Sequence, residues 1–237
     1  MNDEHLNLTK LVYEDGIGRV QLIQHWGDDR TVVRSARVSF GNDSGKGEMT
    51  DRDIKLINYL VKHKHTSTLE HCGLTFKFVV PLFVRSQHHR HRTWSYNEIS
   101  RRYTDVNIQF YEPNSFRGQH KSNRQASNFN DKINPVLSCG SDCDEAVSLH
   151  NKMSLDLYNK MIDSGVCREQ ARGVLPQNLY TEYYGSVNLG NLLKFVDLRT
   201  HEGAQWEINK VANACLDIAK DLYPVTVSAY LNLKKEI

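Results

Sequence analysis

The chain has 237 residues with 39% hydrophobic and 24% charged content, enough for a substantial core and for one large or two small domains. A net charge of +2 is too small for bulk nucleic-acid binding, so basic residues matter by where they cluster. No apolar run approaches the length of a membrane span, and Met1-Asn2-Asp3-Glu4 lacks the basic and apolar regions of an export signal. With that start, Cys72, Cys139, Cys143, Cys167 and Cys215, odd in number and irregular in spacing, read as reduced thiols of a cytoplasmic protein.

Gly18 to Trp26 alternates as a strand, with Val20, Leu22 and Trp26 on a face that Gln24 interrupts. Gly27-Asp28-Asp29 then supplies a turn and a cap for a helix over Thr31 to Arg37. Two glycine clusters fail as nucleotide loops. Gly41 to Gly47 is one residue short of a phosphate-binding loop and has Gly47 where a metal-binding hydroxyl is needed. Gly16-Ile17-Gly18 lacks a third glycine, because Gln21 stands there, so there is no Rossmann fingerprint. A dinucleotide would have to be held by side chains. Thr50-Asp51-Arg52-Asp53 opens a helix whose apolar face is Ile54, Ile57, Leu60 and Val61. Thr66 to His71 is a polar corner, and Leu74 to Val80 alternates as a half-buried strand ending at Pro81.

Arg85 to Tyr103 is the most distinctive stretch. It holds Arg85, Arg90, Arg92, Arg101 and Arg102 with His88, His89 and His91, interleaved with Gln87, Ser95, Asn97 and Ser100, and Glu98 is its one acid. Fork-shaped guanidinium groups bind anionic or carbonyl oxygens in pairs, so this run suits a ligand rich in such oxygens. The bland alternative, a solvated basic face, is opposed by the core strand that anchors it and by the mixture of amides, hydroxyls and aromatics. A zinc site built on His65, His71, His88, His89 and His91 is opposed by the flanking arginines and by the lack of a carboxylate pair. A third alternative is a single-stranded nucleic-acid groove with Trp94, Tyr96 and Tyr103 as stacking platforms.

The segment from Ser115 to Asp144 is rich in Ser, Asn, Gly and Gln and reads as a mobile insertion or lid. Asp144 to Ile162 has helical periodicity through Ala146, Leu149, Met153, Leu157 and Met161, stopped by Ser164-Gly165. Cys167 to Arg172 is a short helix before Leu175-Pro176, Thr181 to Val187 a strand, and Leu189 to Leu198 a helix. The stripe Ile208, Val211, Ala212, Cys215, Ile218, Ala219 and Leu222 marks a long helix that stops at Pro224. With no repeat and no Gly/Ser linker, residues 1–237 read as one α+β domain, a mixed or antiparallel sheet flanked by helices.

Arg90-His91-Arg92-Thr93-Trp94-Ser95-Tyr96-Asn97-Glu98-Ile99-Ser100-Arg101-Arg102 matches R-H-R-x-x-S-x-N-x-x-S-x-R, the signature of the flavin-dependent thymidylate synthases, at seven fixed positions. The likeness extends to Ala36-Arg37-Val38-Ser39-Phe40, to Ala171-Arg172-Gly173-Val174-Leu175-Pro176, and to Arg199 with Ala204-Gln205-Trp206-Glu207. The resemblance implies a homotetramer that methylates deoxyuridylate (dUMP), using FAD, NADPH and methylenetetrahydrofolate. Carried over by position, Ser67, Arg90, His91, Arg92, Glu98 and Asn188 resemble the flavin-contacting set. Lys194 stands where an asparagine is common near the flavin. Gln87, Ser100, Arg101, Arg102, Arg172 and Arg199 resemble the nucleotide-contacting set, with Arg90 and Glu98 near both. The family pattern has a histidine at the place of Gly203, and His201 lies two residues earlier.

Making thymidylate requires a nucleophilic carbon 5 on the uracil ring. No Pro-Cys pair is present to attack the ring with a thiol. A guanidinium such as Arg199 could instead stabilise negative charge at nitrogen 3 and the adjacent carbonyls, as a fixed electrostatic partner that stays protonated. Ser100, flanked by arginine and without an evident base, reads as a substrate ligand. No metal, nucleic-acid or membrane partner is expected.

Overall fold

The computed structural model describes residues 8–41 and 47–235. Most of the glycine-rich loop between Gly41 and Gly47 lies outside them. In chain order the elements are β1 (Thr9–Leu11), β2 (Arg19–Trp26), α1 (Asp29–Val38), α2 (Asp51–Lys62), a 3-10 turn (Thr66–His71), β3 (Gly73–Pro81), α3 (Leu82–His88), β4 (Ser95–Glu98), β5 (Phe116–Gln119), β6 (Ser127–Ile133), α4 (Cys143–Asp163), α5 (Arg168–Ala171), β7 (Tyr180–Asn188), α6 (Leu189–Arg199), α7 (Trp206–Leu222) and α8 (Pro224–Lys235). The main sheet runs β1-β2-β3-β7-β4 with every neighbouring pair antiparallel, and helices flank it.

The local signals act as their chemistry dictates. Asp28 and Thr50 each form a reciprocal capping box, with Thr31 and Asp53, so α1 and α2 start where the caps stand. A bulge between Leu22 and Gln24 shifts the phase of β2. Val20 and Leu22 therefore point into the core while Gln24 and Trp26 emerge on the surface. The stripe from Ile208 to Leu222 is buried along the whole of α7.

Two expectations, for β3 and α4, are corrected, and two further segments, 115–144 and the chain after Pro224, hold structure that the sequence reading left open. β3 is buried along nearly all of both faces because it is the central strand, paired with β2 and β7 and covered by helices. The polar stretch 115–144 carries the hairpin β5–β6, whose Gly118 passes so close to Asp131 that an added Cβ would fall 2.2 Å from its carboxylate. In α4 the apolar positions Leu149, Met153 and Leu157 are 56%, 62% and 48% exposed, while Asn151, Ser154 and Tyr158 are buried. A polar network holds that inner face: Asn151 Nδ2 donates to Glu112 Oε1 at 2.8 Å, and Asn178 Nδ2 donates to Asn151 Oδ1 at 3.1 Å. Finally, the chain resumes as α8 directly after α7. Pro224 is tolerated at a first helical position, and Asp29 accepts from Val225 N and Thr226 N at 2.8 and 2.9 Å.

Among the described residues no helix is long and apolar enough to cross a membrane, and no group of three or more His, Cys, Asp or Glu could hold a metal ion.

Candidate active site

The basic run folds into α3, a turn and the edge strand β4, all fastened from behind. Pro81 ends β3 and, lacking an N–H, releases the chain into α3. His88 is fully buried, with Phe78, Trp94, Tyr96 and Phe195 around its ring and Nδ1 2.8 Å from Tyr183 Oη. Burial pushes its pKa well below the usual imidazole range, so it is a neutral core histidine. Trp94 is buried beside Gly185 of β7, where a Cβ would approach its ring to 3.2 Å. Tyr96 Oη donates to the His88 carbonyl at 2.8 Å. Of the three aromatics that a nucleic-acid groove would stack bases on, only Tyr103 is widely exposed, at 81%. That alternative loses its platforms.

The predicted residues gather in three patches. The first is an open cleft of about 570 Å³ lined by Arg85, Glu98, Ser100, Arg101, Arg172 and Thr181 among others. Glu98 Oε1 accepts from Thr181 Oγ1 at 2.6 Å and lies 3.2 Å from Arg85 Nε, so the acid is fixed in an otherwise basic wall. Arg101 reaches the carbonyls of Val106 and Asn107 at 2.7 and 3.3 Å, and Ser100 Oγ accepts from the Arg102 N–H at 3.2 Å. The Arg102 guanidinium leaves the cleft for an ion pair with Glu169 at 3.2 Å, an arrangement a bound dianion would have to exchange.

The second patch is built around Arg199 at the end of α6. Its Nε donates to His91 Nε2 at 3.0 Å and its Nη2 to the Gln87 carbonyl at 3.0 Å. Burial and the nearby Arg199 charge push the His91 pKa down to about 4, so its neutral Nε2 accepts at neutral pH. Burial, then repulsion from Arg90, lowers the pKa of Arg199 itself. Arg90 and Arg92 are exposed, and neither has a hydrogen bond or ion pair with a described residue. Arg85 and Gln87 stand two apart on α3, about 200° round its axis, so the Arg85 side chain goes to the cleft and the Gln87 side chain to Gln205 on another side of the helix.

The third patch lies where the 3-10 turn, which carries Ser67, packs on α6: Asn188 caps that helix and Lys194 lies midway along it. Asn188 Oδ1 is occupied as the helix cap, accepting from Asn191 N at 2.9 Å, and Lys194 Nζ lies 3.3 Å from Asn191 Oδ1. His201 turns its Nδ1 back to the Gly203 N–H at 3.2 Å, and its ring is exposed. Among the described residues no side-chain hydrogen bond or ion pair links the third patch to the other two.

Sequence reasoning missed Arg85 and Thr181 as partners of Glu98, and it missed Arg117 entirely. Thr181 lies in a strand and Arg117 in a polar segment, where neither spacing nor type marks a partner. Gln205 and Glu207 were visible only as part of the family likeness. No cysteine lines the cleft. Burial pushes the Cys72 thiol up to about 12 and raises that of Cys215 well above the usual range, so neither is a thiolate.

Comparison with known proteins identifies the family. The family model described as "Thymidylate synthase complementing protein" matches residues 21–225. A flavin-dependent thymidylate synthase of Thermus thermophilus is 43% identical over 217 residues, covering 90% of this chain and 75% of that protein. One from Kosmotoga olearia is 38% identical over 218 residues, covering 91% and 90%. The crystal structure of the UMP/dUMP methylase PolB from Streptomyces cacaoi, bound with 5-Br dUMP, superposes with a TM-score of 0.76 at 31% identity, covering 90% of this chain and 94% of that one. With its signature run placed on a charged face and its sheet shared with a nucleotide methylase, this chain belongs to the flavin-dependent thymidylate synthase family.

Proposed function

We propose that this chain methylates dUMP at carbon 5, with methylenetetrahydrofolate as carbon donor and FAD, reduced by NADPH, as cofactor. The observation that carries the mechanism is Arg199, aimed and held by two hydrogen bonds while close to a second guanidinium. A cation fixed in this way costs little reorganisation when negative charge develops on a uracil ring beside it. His91 is a neutral acceptor that orients Arg199 without competing for its charge. In the cleft, Arg172, Arg101 and the backbone around Ser100 supply donors for a phosphate, and Glu98 supplies an acceptor for a ribose hydroxyl or a ring N–H. Ser100, whose oxygen accepts from the Arg102 N–H, fits a binding role.

The donor set also fits a flavin dinucleotide. Arg90 and Arg92 have no partner among the described residues and suit a pyrophosphate where no glycine-rich turn exists. Bound flavin would supply the hydride and relay the one-carbon unit, chemistry that belongs to the cofactor. The chain's own work is to hold the ring, place the phosphate and exclude water.

A homotetramer with shared sites fits the separation of the three patches, since groups from different subunits could complete one site. Side chains that a single chain leaves uncovered point the same way: Phe40 is 87% exposed and Val38 64%, as is the Leu149, Met153 and Leu157 face of α4 at roughly half.

The test is tritium release from carbon 5 of labelled dUMP, with flavin content read from the visible spectrum. Arg199→Ala should keep its fold and flavin and slow release about 10- to 100-fold, because a charge-assisted hydrogen bond is worth roughly 1.5–3 kcal/mol. A fully active Arg199→Ala would overturn the ring-polarisation mechanism. A protein that takes up no flavin would overturn the cofactor.

A further inference from the structure

A chain of side-chain hydrogen bonds runs from the hairpin to Gln87, beside Arg199. Arg117 Nη2 on β5 donates to Glu207 Oε1 at 2.7 Å, and Gln205 Nε2 donates to Glu207 Oε2 at 2.8 Å. Gln87 Nε2 then donates to Gln205 Oε1, while the Gln87 backbone carbonyl receives Arg199. Glu207 is 4% exposed, and the Arg117 guanidinium lies 5.2 Å over the Trp206 ring.

The direction of this chain is dictated at its buried end. An ionised carboxylate can only accept, so Gln205 must turn its NH₂ to Glu207 and its carbonyl to Gln87. Gln87 must then turn its NH₂ to Gln205, and its Oε1 is left without a donor among the described residues. We infer that Glu207, paired with Arg117, is a positioning residue that makes Gln87 present a hydrogen-bond acceptor to the substrate. The group it takes is a donor, either the ring N–H of the uracil or a ribose hydroxyl. This rests on the proposed dUMP site. With an amide in place of the carboxylate, Arg117 would hold the amide oxygen and turn its NH₂ to Gln205, so the chain would reverse and Gln87 would present a donor.

The experiment measures dissociation constants by calorimetry on flavin-loaded enzyme for dUMP, 3-methyl-dUMP and 2′,3′-dideoxyuridine monophosphate. The first analogue lacks the ring donor and the second lacks the 3′-hydroxyl. Wild type should lose about 3- to 10-fold more affinity than Glu207→Gln for one analogue, the size of one net hydrogen bond, and that analogue names the donor. Gln205→Met, which cuts the chain but leaves the Arg117–Glu207 pair, should lose the same discrimination, and it decides the matter if Glu207→Gln does not fold. Glu207→Asp, which keeps the carboxylate, should restore part of the discrimination, as a merely structural role would not. Equal losses for both analogues in wild type and variants, with dUMP still bound, would overturn the inference. Wild-type enzyme that does not bind dUMP would instead remove the nucleotide reading itself, and this inference with it.

Discussion

Arg117→Met removes the ion pair that ties the hairpin to α7, together with the hydrogen bond from Arg117 Nε to Ser127 Oγ at 3.1 Å inside the hairpin. Methionine keeps much of the apolar stem over Trp206 and removes the charge. The pair is 2.7 Å long, with side chains 21% and 5% exposed. Two unit charges about 4 Å apart attract by about 4 kcal/mol at an effective dielectric of 20. The stranded carboxylate keeps the Gln205 amide at 2.8 Å and the more distant Tyr111 hydroxyl at 3.5 Å, which offsets part of the loss. The net cost is therefore about 2–3 kcal/mol, below the usual range for breaking a fully buried pair. At 2–4 °C per kcal/mol for a chain of this size, the melting temperature should fall by roughly 4–12 °C. Thermal unfolding of the holoenzyme at fixed protein concentration reads it. In the Arg117→Met background, Glu207→Gln should recover stability, because it removes the uncompensated charge. A fall below about 1 °C with no recovery would mean that the pair does not hold the hairpin, and the reasoning from burial would fail.

His91 should titrate near 4 in NMR spectra of the holoenzyme, well below the unfolded value near 6.5. Because its folded pKa is depressed, its contribution to stability is present above pH 6.5 and is lost as pH falls towards 4, where the unfolded chain takes up the proton first. The stability advantage of wild type over His91→Gln should shrink across that window, and an ordinary His91 titration near 6.5 would contradict the Arg199 geometry. A thiol reagent should modify the exposed Cys139 and Cys167 readily and Cys143 more slowly, while the buried Cys72 and Cys215 react only after unfolding. Single Cys→Ser variants should retain tritium release, and an inactive but folded one would reopen thiol catalysis.

Periodicity and caps determined most of the elements because each is a local statement about one stretch of chain. Asp28 and Thr50 could be read as caps, the apolar stripe of α7 as a buried face, and the Arg90 to Arg102 spacing as a family signature. The apolar face of α4 was legible too, but not its direction, since burial of Asn151 depends on Glu112 and Asn178, 39 and 27 residues away in sequence. The same limit explains the site. That residues 85–103 suit an oxygen-rich ligand follows from residue type; that the Arg85 side chain lines the cleft while the Gln87 carbonyl holds Arg199 follows from where α3 packs. His88 looks like its neighbours in sequence and is a neutral core residue only because Phe78, Trp94 and Phe195 close around it. Arg117 and Glu207 are 90 residues apart, and a charge pair of that kind has no period to betray it. Tertiary structure alone decided which charges meet, because burial is what makes an unpaired carboxylate costly enough to select its partner.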